Sequence, residues 1–126
     1  AAGLLAGLCY LRDRGLASIR RQEWDLRESL TDRLRRIPGV RVYAGPDQTG
    51  TVSFTVRDRD CVLLAEALGK QGIALRAGLH CAPLAHETAG TLETGTVRAS
   101  LGPFSRHEDI RALSSGLRQL LETEEA

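Results

Sequence analysis

Apolar residues recur along this chain in two rhythms, one near 3.6 residues and one of two. Leu4, Leu5, Leu8 and Leu11 keep the helical spacing and predict a helix over residues 3–14. Gly15 interrupts it. Ile19, Leu26, Leu30, Leu34 and Ile37 form a second stripe and predict a helix from about Ser18 to Arg36. Arginines and acids occupy its other faces, which reads as a solvated surface laced with weak ion pairs. Trp24 lies off the stripe, placed either to cover the first helix or to meet a partner outside the chain. Pro38-Gly39 ends this helix. Val40-Arg41-Val42-Tyr43 then alternates as a short strand, and the turn residues of 44–50 predict a loop. Thr51 to Val56 alternates strictly, with Val52, Phe54 and Val56 on one face.

Asp58 or Asp60 is placed to cap the next helix, which carries Cys61, Leu64, Ala65 and Leu68 and stops at Gly72. Residues 73–77 read as a strand, 82–94 as an irregular or partly helical excursion, and 95–101 as another strand. Ser105 and Glu108 match a capping box opening a last helix, with Ile110, Leu113, Leu117 and Leu120 or Leu121 facing inward. The acidic end, Glu122 to Glu125, is expected to fray. The element order predicts an α+β fold, a small and mostly antiparallel sheet covered on one face by helices. No repeat or low-complexity tract interrupts it.

At 126 residues the chain is sized for one domain. A net charge of +1 gives no field that argues for nucleic acid or an anionic membrane as partner. No apolar run approaches the ~20 residues of a membrane span. The opening apolar run has no basic residues before it, so it reads as a helix beginning in mid-protein and not as a secretory signal. Cys9, Cys61 and Cys81 are odd in number and lack the spacing of a disulfide framework or a zinc site, so no metal is expected and a reducing, cytoplasmic setting is. Cys9 and Cys61 sit on apolar helical faces and are expected as small core residues. Lys70 is the only lysine, and it sits where a helix ends, an exposed position without a pocket for a covalently attached cofactor.

The segment Arg76-Ala77-Gly78-Leu79-His80-Cys81-Ala82-Pro83 carries the chemistry. Its glycine, histidine and proline mark a tight exposed turn following a strand. A thiol is nucleophilic as thiolate, and neighbouring cations favour that form. Alternation puts Arg76 with Ala74, opposite Ile73 and Leu75; it puts Arg98 with Thr96 and Ser100, opposite Val97, Ala99 and Leu101. If the apolar sets face the helices, Arg76 and Arg98 share the other face with Cys81 at its edge. Guanidinium groups grip carboxylates with paired hydrogen bonds, so this face suits a small carboxylate whose reactive end meets a thiol. Each arginine taken alone reads first as an exposed or interface ion pair, and His80 equally as a packed loop histidine.

RAGLHCAPLAH followed by GTVRASLGPF resembles the C-terminal part of class V, fold type I, pyridoxal-phosphate enzymes, nearest to the cysteine desulfurase and selenocysteine lyase group. The resemblance extends over nearly the whole chain, through Ile37-Pro38-Gly39-Val40, Thr51-Val52-Ser53-Phe54 and Gly72 to Arg76. It implies that residues 1–126 form the single small C-terminal domain of a larger enzyme. It implies that Cys81 is the nucleophile that takes sulfur from a cysteine-like substrate as a persulfide, releasing alanine. Arg98 then matches the substrate-carboxylate arginine, Arg76 a supporting arginine, and His80 a catalytic neighbour of the thiol. Pyridoxal phosphate is implied for the full-length enzyme, along with a homodimer and a sulfur-acceptor protein.

The departures are as informative. The family's cofactor lies in a large N-terminal domain that supplies the covalent lysine, a ring-stacking histidine and an acid. None is found here, so this chain is expected to bind no cofactor covalently and to be inactive alone. Glu87 stands where related sequences often carry a basic residue. His86 belongs to the motif without an evident role, and His107 reads as a surface residue at a helix start. The alternative is a stand-alone sulfur carrier, or a module for dimerisation, that lacks the cofactor machinery.

Overall fold

A computed structural model describes residues 1–124 of the chain, the side chain of Glu124 excepted. Among the described residues the elements are α1 (Ala2–Arg14), α2 (Leu16–Arg35), β1 (Val40–Tyr43), β2 (Thr51–Val56), α3 (Cys61–Lys70), β3 (Arg76–Gly78), α4 (Pro83–Ala89), β4 (Thr96–Ser100) and α5 (His107–Glu124). The strands form one sheet in the order β1-β2-β4-β3, with every neighbouring pair antiparallel. This is the α+β architecture expected from the sequence.

Strict alternation drives the layering. Val52, Phe54 and Val56 of β2 and Val97 and Ala99 of β4 are buried on one face. Leu26, Leu30 and Leu34 of α2, Leu64 and Leu68 of α3 and Ile110, Leu113 and Leu117 of α5 pack onto that face as one core. Each such leucine, fully buried, contributes about 1.5–3 kcal/mol. The other face carries Thr, Ser, Tyr and Arg side chains.

Several ends differ from the sequence reading for local reasons. Asp60, not Asp58, caps α3; its carboxylate accepts from the N–H groups of Val62 (2.8 Å) and Leu63 (3.0 Å). Gly72, at φ +81°, closes the same helix: its N–H donates to Gly69 O and the Ile73 N–H to Leu68 O, a double closure of the last turn. Ile73 and Leu75 pack on the core without joining the ladder, so β3 begins only at Arg76. The Ser105–Glu108 box does not form. The Ser105 hydroxyl accepts from the Gly102 N–H, while Asp109 reaches back to the Arg106 N–H at 2.8 Å, so the reciprocal cap is shifted by one residue. α5 runs through Glu124 where fraying was expected, and Glu125 lies outside the described residues.

Two core assignments also change. Cys61 is buried as expected, but α1 buries none of its residues and Cys9 is only half-buried. Leu4, Leu5 and Leu8 remain 72%, 63% and 55% exposed; α1 packs mainly on α2, with Tyr10 meeting the Phe104 ring at 5.2 Å. On α2, Arg27 is no solvated charge: it is 2% exposed. One terminal nitrogen donates to the carbonyls of Gly45 and Gln48, the other meets Glu28 at 2.7 Å, and the guanidinium stacks 4.8 Å above the Trp24 ring. Gln48 closes the loop on itself, accepting from the Gly45 N–H and donating to Thr51 O. The loop between β1 and β2 is therefore folded around a buried cation.

Arg27→Leu should cost about 1–3 kcal/mol, the penalty for carbonyls left without a donor in a buried setting. Urea denaturation should show the loss, and hydrogen exchange should localise it to residues 44–50. Unchanged exchange in that loop would contradict this account of its order.

Candidate functional site

β4 is the strand on which the site is built. Its register sets Arg98 directly opposite Arg76 on β3 and opposite Ser53 on β2, and Ser53 in turn faces Tyr43 on β1. Side chains so paired stand about 4.5–5.5 Å apart at Cβ. The two arginines therefore do share the polar face. Placing like charges opposite each other is unfavourable in itself. Among the described residues neither arginine enters an ion pair within the chain. Arg98 is half-buried, and its Nε is buried without a hydrogen-bond partner. A buried donor of this kind is costly unless a ligand or a shift of a neighbour engages it.

The thiol arrives by way of a strained turn. At the end of β3, Gly78 has φ +108°, and His80 (+52°) and Cys81 (+58°) follow in the left-handed region. For residues with a Cβ this costs roughly 1–2 kcal/mol each. The Ala82 N–H donates to Leu79 O at 2.9 Å and closes the turn, leaving Cys81 exposed. Across from it, Gly95 holds φ +63° against the end of β3, where an added Cβ would lie 2.9 Å from Gly78 Cα. Only a glycine permits both the conformation and this approach.

His80 is tied to the same strand as Arg98. Its Nε2 donates to Thr96 O at 3.2 Å and lies 3.3 Å from the Thr96 hydroxyl. That bond selects the Nε2–H tautomer and leaves Nδ1 as the acceptor of the neutral ring. Burial, followed by the Arg98 charge, pushes its pKa below the ordinary value; His86 and Arg76 act in the same sense and the Thr96 carbonyl opposes them. His80 is thus held neutral beside a thiol and two guanidinium groups.

The remaining candidates separate from this cluster. Lys70 is exposed at the end of α3, a helix that packs on the opposite, buried face of the sheet. His107 is exposed and pairs with Asp25 at 2.9 Å. The Cys61 thiol donates to Thr94 O at 3.1 Å and so anchors the segment before β4. Among the described residues no group of three metal-binding side chains exists. A groove of 680 Å³ between Arg41, Thr55, Cys61 and Gly90, and another of 750 Å³ near Arg36, Arg57 and Arg118, take in none of Cys81, Arg76 or Arg98. Ser53 was passed over in the sequence: its alternation put it on the polar face, but only the register shows it beside Arg98.

A family model described as class-V aminotransferase matches residues 1–113. A probable cysteine desulfurase of Halalkalibacterium halodurans is 37% identical over 122 residues, covering 97% of this chain and 30% of the relative. A cysteine desulfurase of Synechococcus elongatus is 36% identical over 121 residues, 95% of this chain and 19% of its own length. Among solved structures, the apo cysteine desulfurase of Thermococcus onnurineus superposes with a TM-score of 0.89 at 31% identity, over 96% of this chain and 30% of that one. An Escherichia coli cysteine desulfurase in an S-sulfonic acid form gives 0.88 at 30% identity, with the same coverage of 96% and 30%. The chain thus spans less than a third of the length of these proteins.

The depressed His80 pKa has a testable sign. The unfolded chain binds the proton more tightly, so this stabilisation is complete above the ordinary histidine value of about 6.5 and is lost as pH falls through the lower folded value. Urea stability of the chain should therefore decline on acidification from about pH 7.5 to about pH 5, and His80→Gln should flatten that decline. Equal slopes in both proteins would remove His80 from this role.

Proposed function

Because the chain belongs to the class-V aminotransferase family, we propose that it is the substrate-facing C-terminal domain of a pyridoxal-phosphate-dependent cysteine desulfurase-like enzyme. The observation that carries this reading is the unpaired Arg76–Arg98 couple beside an exposed thiol on a tight turn. Arg98 receives the carboxylate of a cysteine-like substrate, and Arg76 raises the local positive potential that draws it in. A charge-assisted, two-bond grip fixes the orientation of the substrate as well as its affinity. Its sulfur can then be presented to the Cys81 turn.

His80, neutral and with its lone pair on Nδ1, is suited to take the proton of the Cys81 thiol. The thiolate attacks the substrate sulfur: an S–S bond forms to Cys81 and the substrate Cβ–S bond breaks. The carbon keeps that electron pair and takes a proton, leaving alanine and a persulfide on Cys81. Pyridoxal phosphate, when bound, supplies the sink that lets the substrate carbon carry this charge. The residues present here fit the substrate and not the cofactor, since Lys70 lies on the far side of the sheet. The cofactor would be held by the large domain of the complete enzyme, and a sulfur-acceptor protein would discharge Cys81. A homodimer in a reducing cytoplasm, with no role for nucleic acid or membrane, completes the proposal.

Cys81→Ser in the full-length enzyme should abolish persulfide formation and leave the cofactor absorbance intact. Sulfur transfer that survives the change would exclude Cys81 as the nucleophile. Arg98→Ala should raise KM and lower turnover, together costing about 1.5–3 kcal/mol, the worth of a hydrogen bond to a charged group. Unchanged kinetics would take Arg98 out of the site.

A further inference from the structure

α4 is built with its polarity reversed. It exposes Leu84 at 77% and buries a histidine, His86, as its one buried residue. Burying an imidazole costs free energy unless its polar atoms are engaged, while leaving a leucine in water forgoes a gain. The preference for histidine at this position therefore needs a local cause.

The contacts of His86 supply one. Its Nδ1 lies 2.8 Å from the hydroxyl of Thr91, a residue 2% exposed. The Thr91 N–H returns to His86 O at 2.8 Å, and the Gly95 N–H to Thr91 O at 2.8 Å. His86 is thereby tied in two steps to the residue that precedes β4. Its ring stands 5.8 Å from that of His80, tilted by 42°. His80 itself is held on its other side by Thr96. The His80 ring thus sits between an anchor on β4 and a fixed wall on α4, with Cys81 next to it in the chain. The charged and titratable groups that act on His80 are Arg98 from β4, Arg76 from β3 and His86 from α4.

We propose that His86 is a positioning residue for the Cys81 turn, acting through His80 and anchored by Thr91. Its buried ring holds the His80 ring against Thr96, whose carbonyl fixes the Nε2–H tautomer, and it braces two successive left-handed residues against relaxation. The inference rests on the reading of Cys81 as nucleophile, but it is decided by a different signal.

The test compares the 126-residue chain with its His86→Leu, Thr91→Val and Thr91→Ser variants. Imidazole nitrogen NMR reads the His80 tautomer, and iodoacetamide reads the rate of Cys81 alkylation against pH. The parent chain should show one Nε2–H tautomer for His80. His86→Leu and Thr91→Val should give averaged tautomer signals and slow Cys81 alkylation near neutral pH by at least about fivefold. Thr91→Ser keeps the hydroxyl and should restore both readouts. A folded His86→Leu chain with the parent tautomer and alkylation profile would overturn the proposal. If that variant does not fold, an unchanged His80 in Thr91→Val does the same, because valine removes only the anchor. Loss of general stability alone would move the melting temperature without moving the His80 signals. Failure of the Cys81 reading would appear separately, as sulfur transfer that survives Cys81→Ser in the full-length enzyme.

Discussion

The rest of the structure depends on the hydrogen-bond register of β4. This strand pairs on both edges, and its alternation sends Val97 and Ala99 into the core while Arg98 faces outward. A slip of one residue would bury the arginine and expose the core set. The hydrophobic burial that stabilises the domain is therefore the same constraint that sets Arg98 against Arg76 and Ser53. Site geometry and core packing are two faces of one pairing, so neither varies freely of the other.

Local costs concentrate around this strand. Two like charges face each other, one arginine nitrogen is left without a partner, and two non-glycine residues adopt left-handed conformations. Such features persist only where surrounding contacts over-determine them. Here those contacts are Thr96 on His80, Thr91 on His86 and the Thr94 carbonyl on Cys61, all from residues 91–96. Hydroxyls and backbone carbonyls of one short stretch thus hold the turn and its surroundings.

Much of this was legible in the sequence. The alternation of residues 51–56 and 95–101 identified both central strands and the face on which Arg76 and Arg98 meet. The turn around Cys81 followed from its glycine, histidine and proline. What periodicity could not supply was register, since alternation gives the face of a residue but not its neighbour; Ser53 beside Arg98 was missed for that reason. Capping was misread at Ser105 because the motif tolerates a shift of one residue when an acid, Asp109, stands one place further on. Arg27 and His86 were misjudged or left open because the burial of a polar residue depends on partners that periodicity does not reveal, Gln48 far along the chain and Thr91 just past the helix end. The leucines of α1 carry a helical pattern, but the pattern does not say what covers it.

The strand order carries a kinetic consequence. β2 and β4 are neighbours in the sheet, yet α3, β3 and α4 all intervene between them in the chain. Their pairing closes a loop of roughly forty residues, an entropic cost that must be met before the long-range contacts repay it. Arg98 reaches Ser53 only in that step, whereas its pairing with Arg76 closes the shorter β3–β4 connection. An unfinished fold can hold the helices, the β1–β2 hairpin and the β3–β4 pair without joining the two halves of the sheet. The core beneath β2 and the arginine-bearing face above β4 are thus joined in a single late step, so the sheet gains its central seam and its continuous polar face together.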